Sequence, residues 1–263
     1  MSLRDARVDR EWLEDARRVE ESVLPRRLDR VRAATDAEAG QLAVAARTAK
    51  TLSGSLVDLV RFGYALGDDL EQVALLVDRA ALLRAECFAV MEKYDETAYP
   101  GFLQNGYAFR MEIAGSYADA VDMLSWTGIF GLRERASSEW SSPPVKRWGD
   151  GVLDRLAELG GVDVGEVRKS LALPVVWSER WPGLVSGDPD EASTMLTEYV
   201  RSWNQRHGAL FGQADSSASH FRGSWCFDAA AVAVGLGVDD TAARGVLEYP
   251  ADLVDYARGV RHG

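Results

Sequence analysis

The sequence predicts an all-α protein, an irregular multi-helix bundle whose N-terminal and C-terminal helical halves pack together. Apolar residues recur at helical spacing through most of the 263 residues, the pattern of helices that bury one face. Strand signals are sparse, and Pro174-Val175-Val176-Trp177 is the one short β-like run. Glycine-rich phosphate loops are absent, because no glycine cluster precedes a lysine at the required spacing.

In chain order, Asp9 to Ala34 is rich in Arg, Glu, Leu and Val, with Trp12, Val19, Val23 and Leu24 near one face. Pro25 is expected to kink or split this helix, since it lacks an amide donor and clashes with the preceding turn. Ala37 to Leu66 forms the next helix, with a bend expected where Ser53-Gly54-Ser55 interrupts it. Gly67 ends it. Three helix starts carry an acid followed three residues later by a glutamate: Asp68 with Glu71, Asp163 with Glu166, and Asp188 with Glu191, the last reinforced by Pro189. A carboxylate there accepts unpaired backbone amides and opposes the helix dipole. Ala136 to Pro144, with four serines and Pro143-Pro144, is the expected linker between an N-terminal region (1–136) and a C-terminal region (145–263).

Charge narrows the function. The net charge is −11, and residues 1–36 are balanced, so the whole excess of acid lies beyond them. Such a surface repels nucleic-acid phosphates and attracts basic proteins. Direct nucleic-acid binding is therefore disfavoured. The longest apolar run, Ala229 to Leu236, is too short for a bilayer, which takes about 20 residues. The N-terminus shows no apolar export core. A cytoplasmic location is expected, with Cys87 and Cys226 reduced and buried as small hydrophobes.

Chemistry-bearing clusters are scarce, and no catalytic, cofactor or metal residues are assigned. The three histidines, His207, His220 and His262, lack the ligand spacing of a zinc site. His220 and Cys226 lie six apart, on different faces of a helix, and so make no nucleophilic pair. Asp228 stands out as the one charged residue between Ser224 and Gly237. Buried in an apolar helix, it requires a cationic or hydrogen-bonding partner from elsewhere. Of the eight tryptophans, Trp203 and Trp225 are expected in the core. Trp140, Trp148, Trp177 and Trp181 flank loops and prolines and are the candidates for partial exposure.

The last third carries a recognisable pattern. His220-Phe221-Arg222-Gly223-Ser224-Trp225-Cys226-Phe227-Asp228-Ala229-Ala230-Ala231 resembles the aromatic-Gly-x-Trp-x-Phe-Glu-Ala-Ala-Ala signature of the PoNe immunity protein family. Tyr249-Pro250-Ala251-Asp252-Leu253-Val254-Asp255-Tyr256-Ala257-Arg258 resembles that family's terminus, and Val238-Asp239-Asp240 its Ile-Asp-Asp turn. Tyr199, Val200 and Trp203 are similar to its Leu-x-x-Tyr-Leu-x-x-Trp helix. Asp228 stands where the family has glutamate, and Ala251 where it has lysine.

The resemblance implies an all-α immunity protein that binds and neutralises a cognate DNase toxin in interbacterial competition, including type VI secretion. Occlusion of the toxin's basic groove is the expected mechanism, and Asp69, Asp190, Asp239 and Asp240 are the candidate contact acids. The signature itself is expected to be largely scaffold. Phe221, Trp225, Ala229, Val232 and Leu236 share one helical face, while Pro250 starts the last helix, with Asp252 at its positive end and Leu253 and Tyr256 docking inward. Two other classes stay open: a general helical adaptor, and an enzyme whose pocket would join Asp228 and His220.

Overall fold

The computed structural model describes residues 4, 8–36, 39–98, 113–171, 189–203, 205–206 and 225–262. Every regular element among them is helical: α1 (Arg10–Arg32), a 3₁₀ turn (Ala33–Asp36), α2 (Ala39–Leu66), α3 (Leu70–Ala98), α4 (Ile113–Ile129), α5 (Arg133–Ser141), α6 (Pro143–Trp148), α7 (Gly151–Leu159), α8 (Pro189–Arg201), α9 (Phe227–Leu236) and α10 (Ala251–His262). The chain is all-α. It forms two compact units: among the described residues the first comprises those up to Asp119 together with Ser141–Arg147, and the second those of 120–140 and from Trp148 onward.

In the first unit α2 packs against both α1 and α3. Asp9 caps α1, its Oδ1 accepting from the amides of Glu11 at 2.7 Å and Trp12 at 3.3 Å. Pro25 does not split this helix, which runs unbroken to Arg32. The lost bond and the clash cost about 3 kcal/mol. Leu24 and Leu28 on either side are both buried, each contributing about 1.5–3 kcal/mol, enough to carry the helix across the proline. Ser53-Gly54-Ser55 likewise leaves α2 uninterrupted. These small residues let neighbours approach: Arg84 Nη1 donates to the Ser53 carbonyl at 2.8 Å, and Arg27 Nη1 to Ser55 Oγ at 2.9 Å. Arg61, only 1% exposed, is neutralised by Asp58 at 2.8 Å and Asp119 at 3.0 Å.

Gly67 ends α2 as expected, at φ +84°. The amide of Gly67 bonds the Tyr64 carbonyl and that of Asp68 the Gly63 carbonyl, a Schellman closure that needs the left-handed residue. The next helix begins later than expected, at Leu70. Asp68 turns instead to α1, where its carboxylate accepts from Arg17 Nη1 at 2.7 Å.

In the second unit α9 packs against α7, α8 and α10. Trp126 of α4 meets Phe227 of α9 edge to face, with centroids 4.9 Å apart. At Gly235, a Cβ would lie 2.7 Å from Leu159 Cδ2, so glycine sets the closeness of α9 to α7. Asp150 caps α7, accepting from Val152 N at 2.8 Å and Leu153 N at 3.1 Å.

Residues 136–144, expected as a linker, hold the end of α5 and the start of α6, with Pro143 at the first helical position, where its missing amide costs nothing, and the chain passes from one compact unit to the other after Trp140. Asp163 starts no helix. Its carboxylate accepts from Gly165 N at 3.2 Å, and Gly165 sits at φ +69°, which a right-handed helix cannot continue through. The following segment is held instead by Arg168, which donates Nε, Nη2 and its amide to the buried Asp154. Pro189 does open α8, while Asp188 lies outside the described residues.

Candidate functional site

The signature residues build two buried polar clusters in the second unit, and exposed acids border them. The first cluster centres on Asp228, 1% exposed in the opening turn of α9. Its Oδ1 accepts from the amide of Ala229 at 3.0 Å and from Cys226 Sγ at 3.1 Å, and its Oδ2 accepts from the Tyr199 hydroxyl on α8. The partner required by a buried carboxylate is thus a hydrogen-bonding tyrosine. The short aspartate suffices because α8 brings Tyr199 to it. Arg206 fixes that tyrosine, its Nη2 donating to the Tyr199 carbonyl at 2.7 Å and its guanidinium lying 4.2 Å from the ring centroid. Burial first, and the Asp228 charge second, push the Tyr199 hydroxyl and the Cys226 thiol well above their ordinary pKa values. Both groups therefore stay protonated and act as donors. A thiol so held is no nucleophile.

Trp225 is buried as expected, but it precedes the helix, which starts at Phe227. The amide of Cys226 bonds the Glu248 carbonyl at 2.8 Å, pinning this entry to the segment before α10. Ala229 and Val232 are fully buried, and Leu236 is half-buried. His220, Phe221 and Gly223, like Trp177 and Trp181, lie outside the described residues.

The second cluster centres on Asp240, 3% exposed. It accepts from Arg258 Nη1 at 2.7 Å and from the Tyr249 hydroxyl at 2.9 Å, and pairs with Arg244 Nη2 at 3.1 Å. Arg258 also donates to the Val238 carbonyl at 2.8 Å, and Arg244 grips Asp255 with bonds of 3.0 and 2.6 Å. Burial opposes the charge on Asp240, but these donors overcome it and hold the carboxyl below its ordinary pKa. Asp240, expected at a partner surface, is buried and neutralised by two arginines, so it is a fold residue. Pro250 directly precedes α10, whose Leu253 is fully buried and whose Tyr256 stacks edge to face on Phe130 at 5.7 Å. Asp252 sits in the first turn.

The other nominated acids are exposed: Asp190 and Asp239 in this unit, and Asp69, just ahead of α3, in the first. Ser193 Oγ donates to the Asp239 carbonyl at 2.6 Å, which joins the opening turn of α8, with Asp190 and Glu191, to the turn carrying Asp239. The Asp239 carboxylate accepts from the Thr241 hydroxyl and amide, which hold it below its ordinary pKa. Arg244 and Arg258 were missed as cluster members. Arg258 closes the quoted terminal motif, but sequence spacing does not link it to Asp240.

Among the described residues no group of three His, Cys, Asp or Glu is placed to hold a metal ion, and no helix is long and apolar enough to cross a membrane. The chain is similar in structure to the crystal structure of protein PA2201 from Pseudomonas aeruginosa, with a TM-score of 0.73, 17% identity, and coverage of 98% of this chain and 93% of that one. That likeness concerns the fold alone. No curated protein matches the chain. Residues 153–253, which run from α7 into the first turn of α10 and include Tyr199, Asp228, Asp240 and Tyr249, match the family described as PoNe immunity proteins (PoNi), C-terminal.

Proposed function

We propose that this chain binds and neutralises a DNase toxin, protecting the cell that makes both. The observation that carries this reading is the PoNi C-terminal match over residues 153–253. A DNase presents a basic groove to the DNA backbone. A partner of net charge −11 is steered to such a groove, and its exposed carboxylates occupy the place of phosphates. The edge formed by Asp190, Glu191 and Asp239 supports this reading in the second unit, and Asp69 is a further exposed acid in the first. Inhibition then consists of covering the groove, and it takes place in the cytoplasm, where the chromosome is. The setting is interbacterial competition with toxin delivery by type VI or a related secretion route.

The test mixes the full chain with the toxin encoded beside it and follows DNA cleavage and co-elution. Loss of cleavage with a stable complex supports immunity by direct binding. Cleavage that persists at excess, with separate elution, overturns it. A salt series then addresses the mechanism: groove occlusion requires an association rate that falls steeply with ionic strength. A flat response would remove occlusion through the acidic edge and leave immunity standing.

A further inference from the structure

We infer that the outer face of α3 is a self-complementary seam at which two copies of this chain pair in antiparallel fashion. The inference is independent of the toxin reading.

The inner face of α3 is already engaged: Val73, Val77, Ala80, Ala81, Leu83, Arg84, Cys87, Phe88 and Met91 are buried. Its outer face runs Gln72, Leu75, Arg79, Leu82, Glu86, Ala89, Lys93, alternating steps of three and four. That is the spacing of a coiled-coil seam. Leu75 is 62% exposed and Leu82 44%, both unusually open for leucine. Arg79 is exposed, with no ion-pair partner among the described residues.

The order of side chains says what covers this face. A twofold axis midway between Arg79 and Glu86, just past Leu82, sets two copies of α3 antiparallel. Each seam position then meets a compatible one: Arg79 faces Glu86 of the second copy, Leu82 faces Leu82, Leu75 faces Ala89, and Gln72 faces Lys93. Arg79 and Glu86 are about 10 Å apart along the helix, so both ion pairs form at once. A parallel pair would instead oppose Arg79 to Arg79 and Glu86 to Glu86. A foreign partner would require no such symmetry. Glu86 already holds Arg32 at 2.8 and 3.0 Å in a solvent-exposed pair, and Arg79 of the second copy adds a second cation to it. An isologous twofold interface is also the commonest way for a soluble chain to self-associate.

The test is sedimentation equilibrium of the full chain from about 1 to about 100 µM. A reversible dimer is expected, weakened about tenfold or more in Leu82→Glu. The decisive arm uses Arg79→Glu and Glu86→Arg. Each variant alone opposes like charges twice and is expected to be monomeric. Mixed in equal amounts, they restore both ion pairs and form a heterodimer. Circular dichroism establishes that each variant is folded, and Arg79→Glu, which breaks no ion pair in the single chain, keeps the arm interpretable if Glu86→Arg is destabilised. A wild-type chain that stays monomeric throughout, a dimer indifferent to Arg79→Glu and Leu82→Glu, or folded variants that fail to pair when mixed would each overturn the inference.

Discussion

Arg258 Nη1 donates to Asp240 Oδ1 at 2.7 Å, and this bond ties the last helix to the turn that follows α9. Asp240 is buried, while Arg258 is about one-third exposed. Removing the acid leaves Arg258 and Arg244 facing each other without their shared counter-charge. Asp240→Asn is expected to lower stability by about 3 kcal/mol, measured as a shift in the urea midpoint with unchanged slope. Asp239→Asn, one residue earlier but exposed, is expected to change stability by less than about 0.5 kcal/mol.

This cluster and the Asp154–Arg168 pair set an acid limit. Asp240, Asp255 and Asp154 are each held below the ordinary aspartate pKa. A carboxyl depressed in the folded state binds protons more readily when unfolded. It contributes stability fully above its unfolded pKa, about 3.9, and that contribution is lost as pH falls through the folded value. Stability is therefore expected to decline below about pH 4, and Asp240→Asn to show a shallower decline. Urea titrations at stepped pH measure both slopes, and parallel slopes would contradict the assignment.

Tyr199→Phe tests the first cluster. It removes one donor from a buried carboxylate and leaves the ring in place. The expected loss is about 1–3 kcal/mol, read as a lower Tm. Cys226→Ser replaces a weak donor with a stronger one and is expected to change Tm much less.

Gly235→Ala tests the crossing of α9 and α7. The added methyl would sit 2.7 Å from Leu159 Cδ2 and 2.9 Å from its Cβ. Overpacking of this kind costs about 1–3 kcal/mol. Leu159→Ala in the same chain is expected to recover most of that loss, a coupling that a double-mutant cycle reports directly.

Cys87 offers a chemical check on the first unit. Burial pushes its thiol up to about 12, so at neutral pH the thiolate is scarce and the side chain is enclosed. Modification by a thiol reagent is expected only as the unit opens, with a rate that rises in step with added denaturant.

Local signals carried the all-α fold, the closure at Gly67, the start of α8 at Pro189 and the docking of the final helix. Each depends on residues within a few positions of one another: periodic apolar faces, a left-handed glycine, a proline at a helix start. The signature around Asp228 and Tyr249 also marked a family, because motif identity is a property of adjacent residues. Tertiary contacts decided the rest. Pro25 stayed helical because buried Leu24 and Leu28 outweigh its local cost. Asp68 left its expected capping place because Arg17, on another helix, offered a counter-charge. Asp240 became a buried hub and Asp239 an exposed acid, although they are neighbours in sequence with the same side chain. Only the positions of Arg244, Tyr249 and Arg258 separate them. A carboxylate's role follows from which donors surround it, and those donors come from residues up to eighteen positions away, brought near by the packing of whole helices.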